Sequence, residues 1–348
     1  MRKADYILAD KIISHQLYLS RFTAGEQKKI FQLLSAMQKE LKTKLLNGFT
    51  DYSKRRMLKL LNECTMVINE YYKEMQSKIN YAAVAETELQ ATQKVFAAIG
   101  VEAAIPTSAA MKALVSNVLI EGSPAAAWWS KQAADTAFRF ASQVRQGVAQ
   151  NETVAQIVTR IVGSKKYGTP GIMDISRRNA YALVHTSIQQ ISNDARMATF
   201  QENADILEGI EQLSTLDSHT SAICMAYSGQ QWDLNGNPIK GSKLPYNGGC
   251  PRHYNCRSVI VPLLIPLSKI AGVELPAKPE GTRASDLGQI KESTTFDAFL
   301  KRHDDAYLND MLGKGRADMY RAGKITLQDL VSGQGRELTL TELKAKYN

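Results

Sequence analysis

The chain has 348 residues, 44% of them hydrophobic, with 43 Lys and Arg against 34 Asp and Glu for a formal charge of +9. That length is long for one domain and comfortable for two, and the charge favours acidic partners such as nucleic acid, although solvated basic helix faces account for it equally well. Four cysteines do not suggest a disulfide framework, no run approaches the roughly 18 apolar residues of a membrane span, and MRKADYILADKIISHQ lacks the features of a signal peptide.

Residues 1–122 read as a helical N-terminal arm. Thr23-Ala-Gly-Glu26 fits a capping box with Thr23 as N-cap. Behind it Ile30, Leu34, Met37, Leu41 and Leu45 recur every three or four residues, as one buried helix face requires, and Gly48 breaks the pattern. A second stripe follows at Met57, Leu61, Cys64, Ile68, Tyr71, Met75 and Ile79. Its spacing is close to a heptad and makes Cys64 a small core residue. The run Lys54-Arg55-Arg56 is either a solvated helix end or a contact to DNA or an acidic partner. An Ala-rich helical stretch from Ala82 to Leu119 breaks near Gly100 and Pro106.

Gly122-Ser-Pro124 punctuates the chain and opens a second region, 123–266. Trp128 and Trp129 anchor a core or an interface. Helices are expected over 125–147 and 152–162, the second capped by Asn151, and Gly163 ends it. The run SKKYGTPG reads as a loop, and Asp174 starts a long helix. Ile210–Thr215 and the segment around Trp232 read as strands, with a hairpin turn at Asn235-Gly236. Ser258–Pro262 is a strand whose proline suggests an edge or an end. The expected fold is α+β and predominantly helical: long N-terminal helices, then a compact C-terminal domain with a small antiparallel sheet. A linker over 267–293 and a short helical tail over 294–348 complete the division.

The chemistry concentrates between Ser214 and Pro262. Cys224, Cys250, His253 and Cys256 have the spacing C-x25-C-x2-H-x2-C. Three thiolates and an imidazole suit a closed, structural Zn²⁺ site. The alternative is a metal-free cluster of inert thiols around a buried histidine. His219 is a fifth candidate, as ligand or as a partner orienting one. Asp217 and Thr220 suit a turn, since an Asp carboxylate accepts backbone N–H bonds two and three residues on. Arg257 either neutralises the thiolates or pairs with Asp217. No His-Glu-x-x-His helix, Gly-x-Ser-x-Gly elbow or phosphate-binding loop occurs.

The stretch resembles the Mu F-like minor head, or head morphogenesis, proteins of tailed bacteriophages. The residues that carry the resemblance are Leu216, Asp217, Thr220, Cys224, Gly229 and Trp232, followed by Pro251, His253, Cys256, Arg257 and Ser258. His219 stands where that family carries Arg. The helix from Asp174, ending Asn193-Asp-Ala195-Arg196, is similar as well, though Ser187 replaces an acid of the family pattern. The tail adds Leu312-Gly-Lys, Arg321-Ala-Gly-Lys and Leu338-Thr-Leu-Thr-Glu-Leu. The likeness spans roughly 125–348 and only loosely the preceding helices.

The resemblance implies a non-enzymatic virion protein acting in head morphogenesis. It would be made in the host bacterial cytoplasm and bind the portal or the major capsid protein from inside. Contact with packaged DNA and exit with it on ejection are part of that expectation. The competing expectation is a metal-dependent nuclease with Asp217, His219 and His253 around an open metal; a third is a DNA-binding protein that uses its basic helices.

Overall fold

The computed structural model describes residues 3–48, 54–164, 168, 170–270 and 281–347, and over these the protein is α+β with helix dominant. The first elements are α1 (Lys3–Gly48), α2 (Lys54–Lys78), α3 (Tyr81–Ala97), α4 (Ser108–Asn117), β1 (Leu119–Ile120) and β2 (Ser123–Pro124). Then come α5 (Ala125–Ala149), α6 (Val154–Val162), α7 (Ile172–Glu202), β3 (Leu207–Leu213), α8 (Ala222–Tyr227), β4 (Gln231–Trp232) and β5 (Val259–Leu264). The hairpin β6 (Thr282–Ser285) and β7 (Gly288–Lys291) leads into α9 (Phe296–Leu300), α10 (Asp305–Leu312), α11 (Lys314–Arg321) and α12 (Leu340–Tyr347).

The chain forms two compact units, and neither is a single stretch of sequence. One takes the residues up to Tyr18, Ala82–Val115 and everything from Gln189 on; the other takes Leu19–Tyr81 and Ser116–Ile188. These divisions fall elsewhere than the expected boundaries at 122, 266 and 293.

The second unit is helical apart from the short antiparallel pair β1–β2. Ile30, Leu34, Met37, Leu41 and Leu45 of α1 are buried, as are Leu61, Cys64, Ile68 and Met75 of α2 and Trp129, Phe140 and Val144 of α5. Cys64 packs as a small apolar side chain, and burial pushes its thiol up to about 12. Tyr71 is only half-buried and Tyr72 goes inside instead. The Tyr72 hydroxyl meets Thr136 Oγ1 at 2.9 Å, and Thr136 in turn meets Ser176 Oγ at 3.0 Å, so each buried hydroxyl has a partner.

Three local expectations change here. Thr23 does not start a helix: α1 runs through it unbroken, with Thr23 and Glu26 both on its buried side. Asn151 does not cap α6. It takes a left-handed φ of 53°, while Thr153 Oγ1 accepts from Gln156 N and Thr153 N donates to Gln156 Oε1 in a capping box. Asp174 lies inside α7 and reaches back to accept from Gly171 N at 2.9 Å. Part of the SKKYGTPG loop lies outside the described residues.

The first unit holds the antiparallel sheet, in the order β4-β3-β5. Ile210 of the central strand faces Trp232 on one side and Pro262 on the other. Pro262 sits within β5, on an edge strand, where its missing N–H breaks no ladder bond. The backbone of β4 comes so close to Gly209 that a Cβ there would lie 2.2 Å from the Trp232 carbonyl oxygen. Core residues of this sheet and of α3 form one apolar cluster with Phe299, Leu300, Leu308 and Leu330. The stretch from 294 on is therefore core and not an appended tail. The expected linker is in part the β6–β7 hairpin; its residues 271–280 lie outside the described residues.

A charged centre lies within this unit. Glu88 of α3 and Arg196 of α7 are each 1% exposed and pair at 2.7 Å. His15 Nε2 and Ser192 Oγ also reach the Glu88 carboxylate, at 2.9 and 2.5 Å. Burial works to push Glu88 up, but Arg196 and His15 outweigh it and hold the carboxyl at about 2.

Candidate metal centre

The loop after β3 is shaped by its own side chains. Asp217 Oδ1 accepts from His219 N at 3.0 Å and from the Thr220 hydroxyl at 3.3 Å, the turn its sequence suggests. The next residue, Ser221, caps α8 by accepting from Cys224 N at 3.3 Å. This short helix presents Cys224 inward, 2% exposed. Ser214 at the end of β3 fixes α8 by donating to the Cys224 carbonyl at 2.7 Å.

Beyond β4 the chain makes the Asn235-Gly236 turn, held by Asp233, whose Oδ1 accepts from the amides of Asn235 and Asn237 at 2.9 and 2.8 Å. The loop crosses Trp232, whose Nε1 donates to the Leu244 carbonyl at 2.7 Å. It reaches Cys250-Pro251, a cis peptide. A tight turn follows: Cys256 N donates to the His253 carbonyl at 3.1 Å, with Asn255 at a left-handed φ of 61° that Asn tolerates better than most residues. The turn puts His253 and Cys256 on the same side, facing Cys224.

The ligand atoms of Cys224, His253 and Cys256 all lie within 4.8 Å of one another, a group that can hold a metal ion. Cys224 Sγ is 3.2 Å from His253 Nε2 and 3.6 Å from Cys256 Sγ. His253 Nδ1 lies 2.8 Å from the Tyr254 carbonyl, which assigns its proton to Nδ1 and leaves Nε2 a lone pair. Cys256 is held well below the usual thiol range, by donation from Cys224 first, then Cys250, with His253 adding to it. Cys224 is raised in turn, by its bond to Cys256 and by burial.

Cys250 differs from the expected set of four. It is buried beside Cys256, with Tyr246 and Arg252 close by, and burial raises its thiol. Its sulfur is not part of the convergent group. Its thiol does face the cluster, donating to Cys256, but it lies outside the three mutually convergent ligand atoms.

The remaining motif residues frame the cluster. Arg257 donates to both carboxylate oxygens of Asp217, at 2.6 and 2.7 Å. Burial raises Asp217, but Arg257 and the turn amide outweigh it and hold the carboxyl below its ordinary range. Leu216 is fully buried. His219 is exposed and lines a cavity of about 10 Å³ together with Ser221, Cys224, His253 and Arg257. That volume suits one water molecule. The basic run is elsewhere: Arg55 and Arg56 are exposed in the first turn of α2, in the helical unit, and the Lys54 side chain lies outside the described residues.

Sequence reasoning missed Ser221 and gave Ser258, a residue of the motif, no role at the cluster. Ser221 Oγ sits 2.8 Å from His253 Nε2, and Ser258 donates to Ser214 beneath Cys224. A local signal did exist for the first, because Ser221 stands three residues before Cys224 at a helix start. Arg196 was named only as the end of the long helix, and its grouping with Glu88 and His15 had no local signal, the three being far apart in the chain.

No family model matches the chain, and no curated protein or solved structure is similar to it within the bounds of the comparison.

Proposed function

We propose that this chain is a structural protein of a tailed-bacteriophage head, a minor component that docks on the portal or the inner capsid during head morphogenesis. In this proposal it is a virion protein without enzymatic activity that lies near packaged DNA, and a zinc ion on Cys224, His253 and Cys256 staples the loop between β4 and β5. The resemblance of the 214–262 stretch supports the head assignment. The observation that carries the zinc is the convergence of three ligand atoms from α8 and the 253–256 turn.

The spacings suit that ion. A tetrahedral zinc with bonds of about 2.3 Å to sulfur and about 2.0–2.1 Å to nitrogen has edges of about 3.8 Å between sulfurs and about 3.5 Å between sulfur and nitrogen. The corresponding separations are 3.6 and 3.2 Å. The loop 233–258 buries little of its own, so a metal would supply stability its side chains do not.

The nuclease is the second reading, favoured by one observation: three convergent ligands leave a tetrahedral position open, as catalytic zinc sites do. Two features weigh against it. The recess beside the cluster is small, about 10 Å³, and offers no deep substrate pocket, and Asp217 is committed to Arg257.

The deciding experiment measures zinc per chain in protein purified without added metal or chelator, with DNA-cleavage assays alongside. About one zinc, no cleavage, and loss of metal and folding in Cys256→Ser support a structural staple. Zinc with DNA cleavage moves the assignment to the nuclease, and a well-folded metal-free protein removes zinc. For the head assignment, mass spectrometry of purified particles should find the chain; its absence from particles overturns that assignment.

A further inference from the structure

The first unit carries a second recess, remote in sequence from the cysteine cluster. It is a groove of about 440 Å³ between α1 and α3, lined by Lys11, His15 and Tyr18 from one helix and Thr87, Gln90 and Lys94 from the other. That size falls in the range of small-ligand sites. Lys11 and Lys94 are exposed, and neither amine is engaged by a carboxylate of the described residues. Tyr18 is 52% exposed and stacks on His15 with ring centroids 5.8 Å apart. His15 is anchored from below by Glu88, whose charge Arg196 already balances.

These groups are ordered along the groove. Lys11 and Tyr18 are seven residues apart on α1, a rise of about 10 Å. A cationic group and an open aromatic face are thus offered at that separation, with the amide of Gln90 and the hydroxyl of Thr87 on the opposite wall. Lysine pairs with phosphate, and a half-exposed ring offers a stacking face to a base. An acidic peptide would satisfy the lysines but leave the ring and the amide unused.

We propose that this groove binds a nucleotide unit, phosphate toward Lys11 and Lys94 and base against Tyr18, supplied either as a free nucleotide or within a single strand. The proposal is independent of the zinc site and names residues other than the basic run at the start of α2.

The test titrates the full chain with dTMP, a short oligo-dT labelled for anisotropy, inorganic phosphate and a poly-glutamate peptide. The variants are Lys11→Glu, Lys94→Glu, Tyr18→Ala and Arg55→Glu/Arg56→Glu, each checked for an unchanged far-UV spectrum. Either lysine reversal should weaken binding at least tenfold. Tyr18→Ala should weaken it at least fivefold, from about 1–3 kcal/mol per stacked base. Saturable dTMP binding with this pattern identifies a free-nucleotide site. Binding of the oligonucleotide alone, with the same pattern, identifies a strand. The proposal is overturned by no saturable binding of either, by phosphate or poly-glutamate binding as tightly as dTMP and oligo-dT, or by loss only in the Arg55/Arg56 variant.

Discussion

Arg257 and Asp217 lie 40 residues apart and meet through two parallel bonds of 2.6 and 2.7 Å. This pair ties the turn before α8 to the residue after Cys256, so it spans the entry and the exit of the cysteine loop. It therefore fixes the approach of Cys224 to Cys256 without touching either sulfur.

Removing that clamp should be a modest, pH-dependent loss. Arg257→Ala is expected to cost about 1 kcal/mol at pH 7, since the pair is partly solvent-screened. Asp217 has a lowered pKa in the folded protein, so the pair stabilises above the ordinary carboxylate value near 3.9 and fades as pH falls through the lower folded value. Urea midpoints of parent and variant at pH 7 and pH 3 check this. An equal gap at both values would contradict it.

Glu88→Gln should be far more damaging, because it leaves Arg196 buried and uncompensated. A loss of about 3–5 kcal/mol is expected. The Glu88 contribution is complete above about pH 4.3, where the unfolded carboxyl is ionised, and is lost as pH falls toward the folded value of about 2. Thermal melts between pH 6 and pH 2 should show the gap to the variant closing at the acid end.

Glu211 titrates in the opposite sense. Burial raises its carboxyl to about 7, against the effect of Gln231, so its proton is bound more tightly in the folded chain. Its contribution is present below the unfolded value near 4.3 and is lost as pH rises through about 7. Glu211→Gln should flatten the decline in melting temperature between pH 5 and pH 8, and an unchanged slope would exclude this role.

The cysteines should separate by function. Cys256→Ser and His253→Ala are expected to abolish metal binding, whereas Cys250→Ser, outside the convergent group, should keep about one metal per chain. Elemental analysis of the purified variants decides it; loss of metal in Cys250→Ser would make Cys250 a ligand.

Gly209→Ala is a test of the sheet. The added carbon would meet a backbone oxygen at 2.2 Å, and no side chain can give way. A loss of more than about 2 kcal/mol is expected, with β4 detached from β3. Exchange of the Ile210–Gln212 amides should accelerate, and normal protection would count against that packing.

The helices were legible because their signals are local. The Ile30-to-Leu45 stripe gave a buried face by spacing alone, and Gly163 ends α6 at a left-handed φ of 80° that a residue without a side chain accepts. Thr23 misled because a capping box is permissive: the same residues continue a helix when their face is buried. Tyr72 displaced Tyr71 because Thr136 and Ser176 satisfy its hydroxyl, which no reading of α2 alone contains. In the centre, the spacing of His253 and Cys256 showed their common turn. Which cysteine faces them depends on how α8 packs under Ser214, and that is a tertiary fact. Glu88 with Arg196 was illegible for the same reason, since 108 residues separate the partners.

Asp5 accepts a hydrogen bond from the backbone of Leu264, 259 residues later. At roughly 5–20 residues per second of synthesis, the first turns of α1 wait roughly 13–50 s for this partner to be made. The helical unit, whose last segment ends at Ile188, has all its residues before then. Chain growth thus orders assembly: the helical unit can close during translation, while the sheet unit closes late, across one of the longest spans available to it.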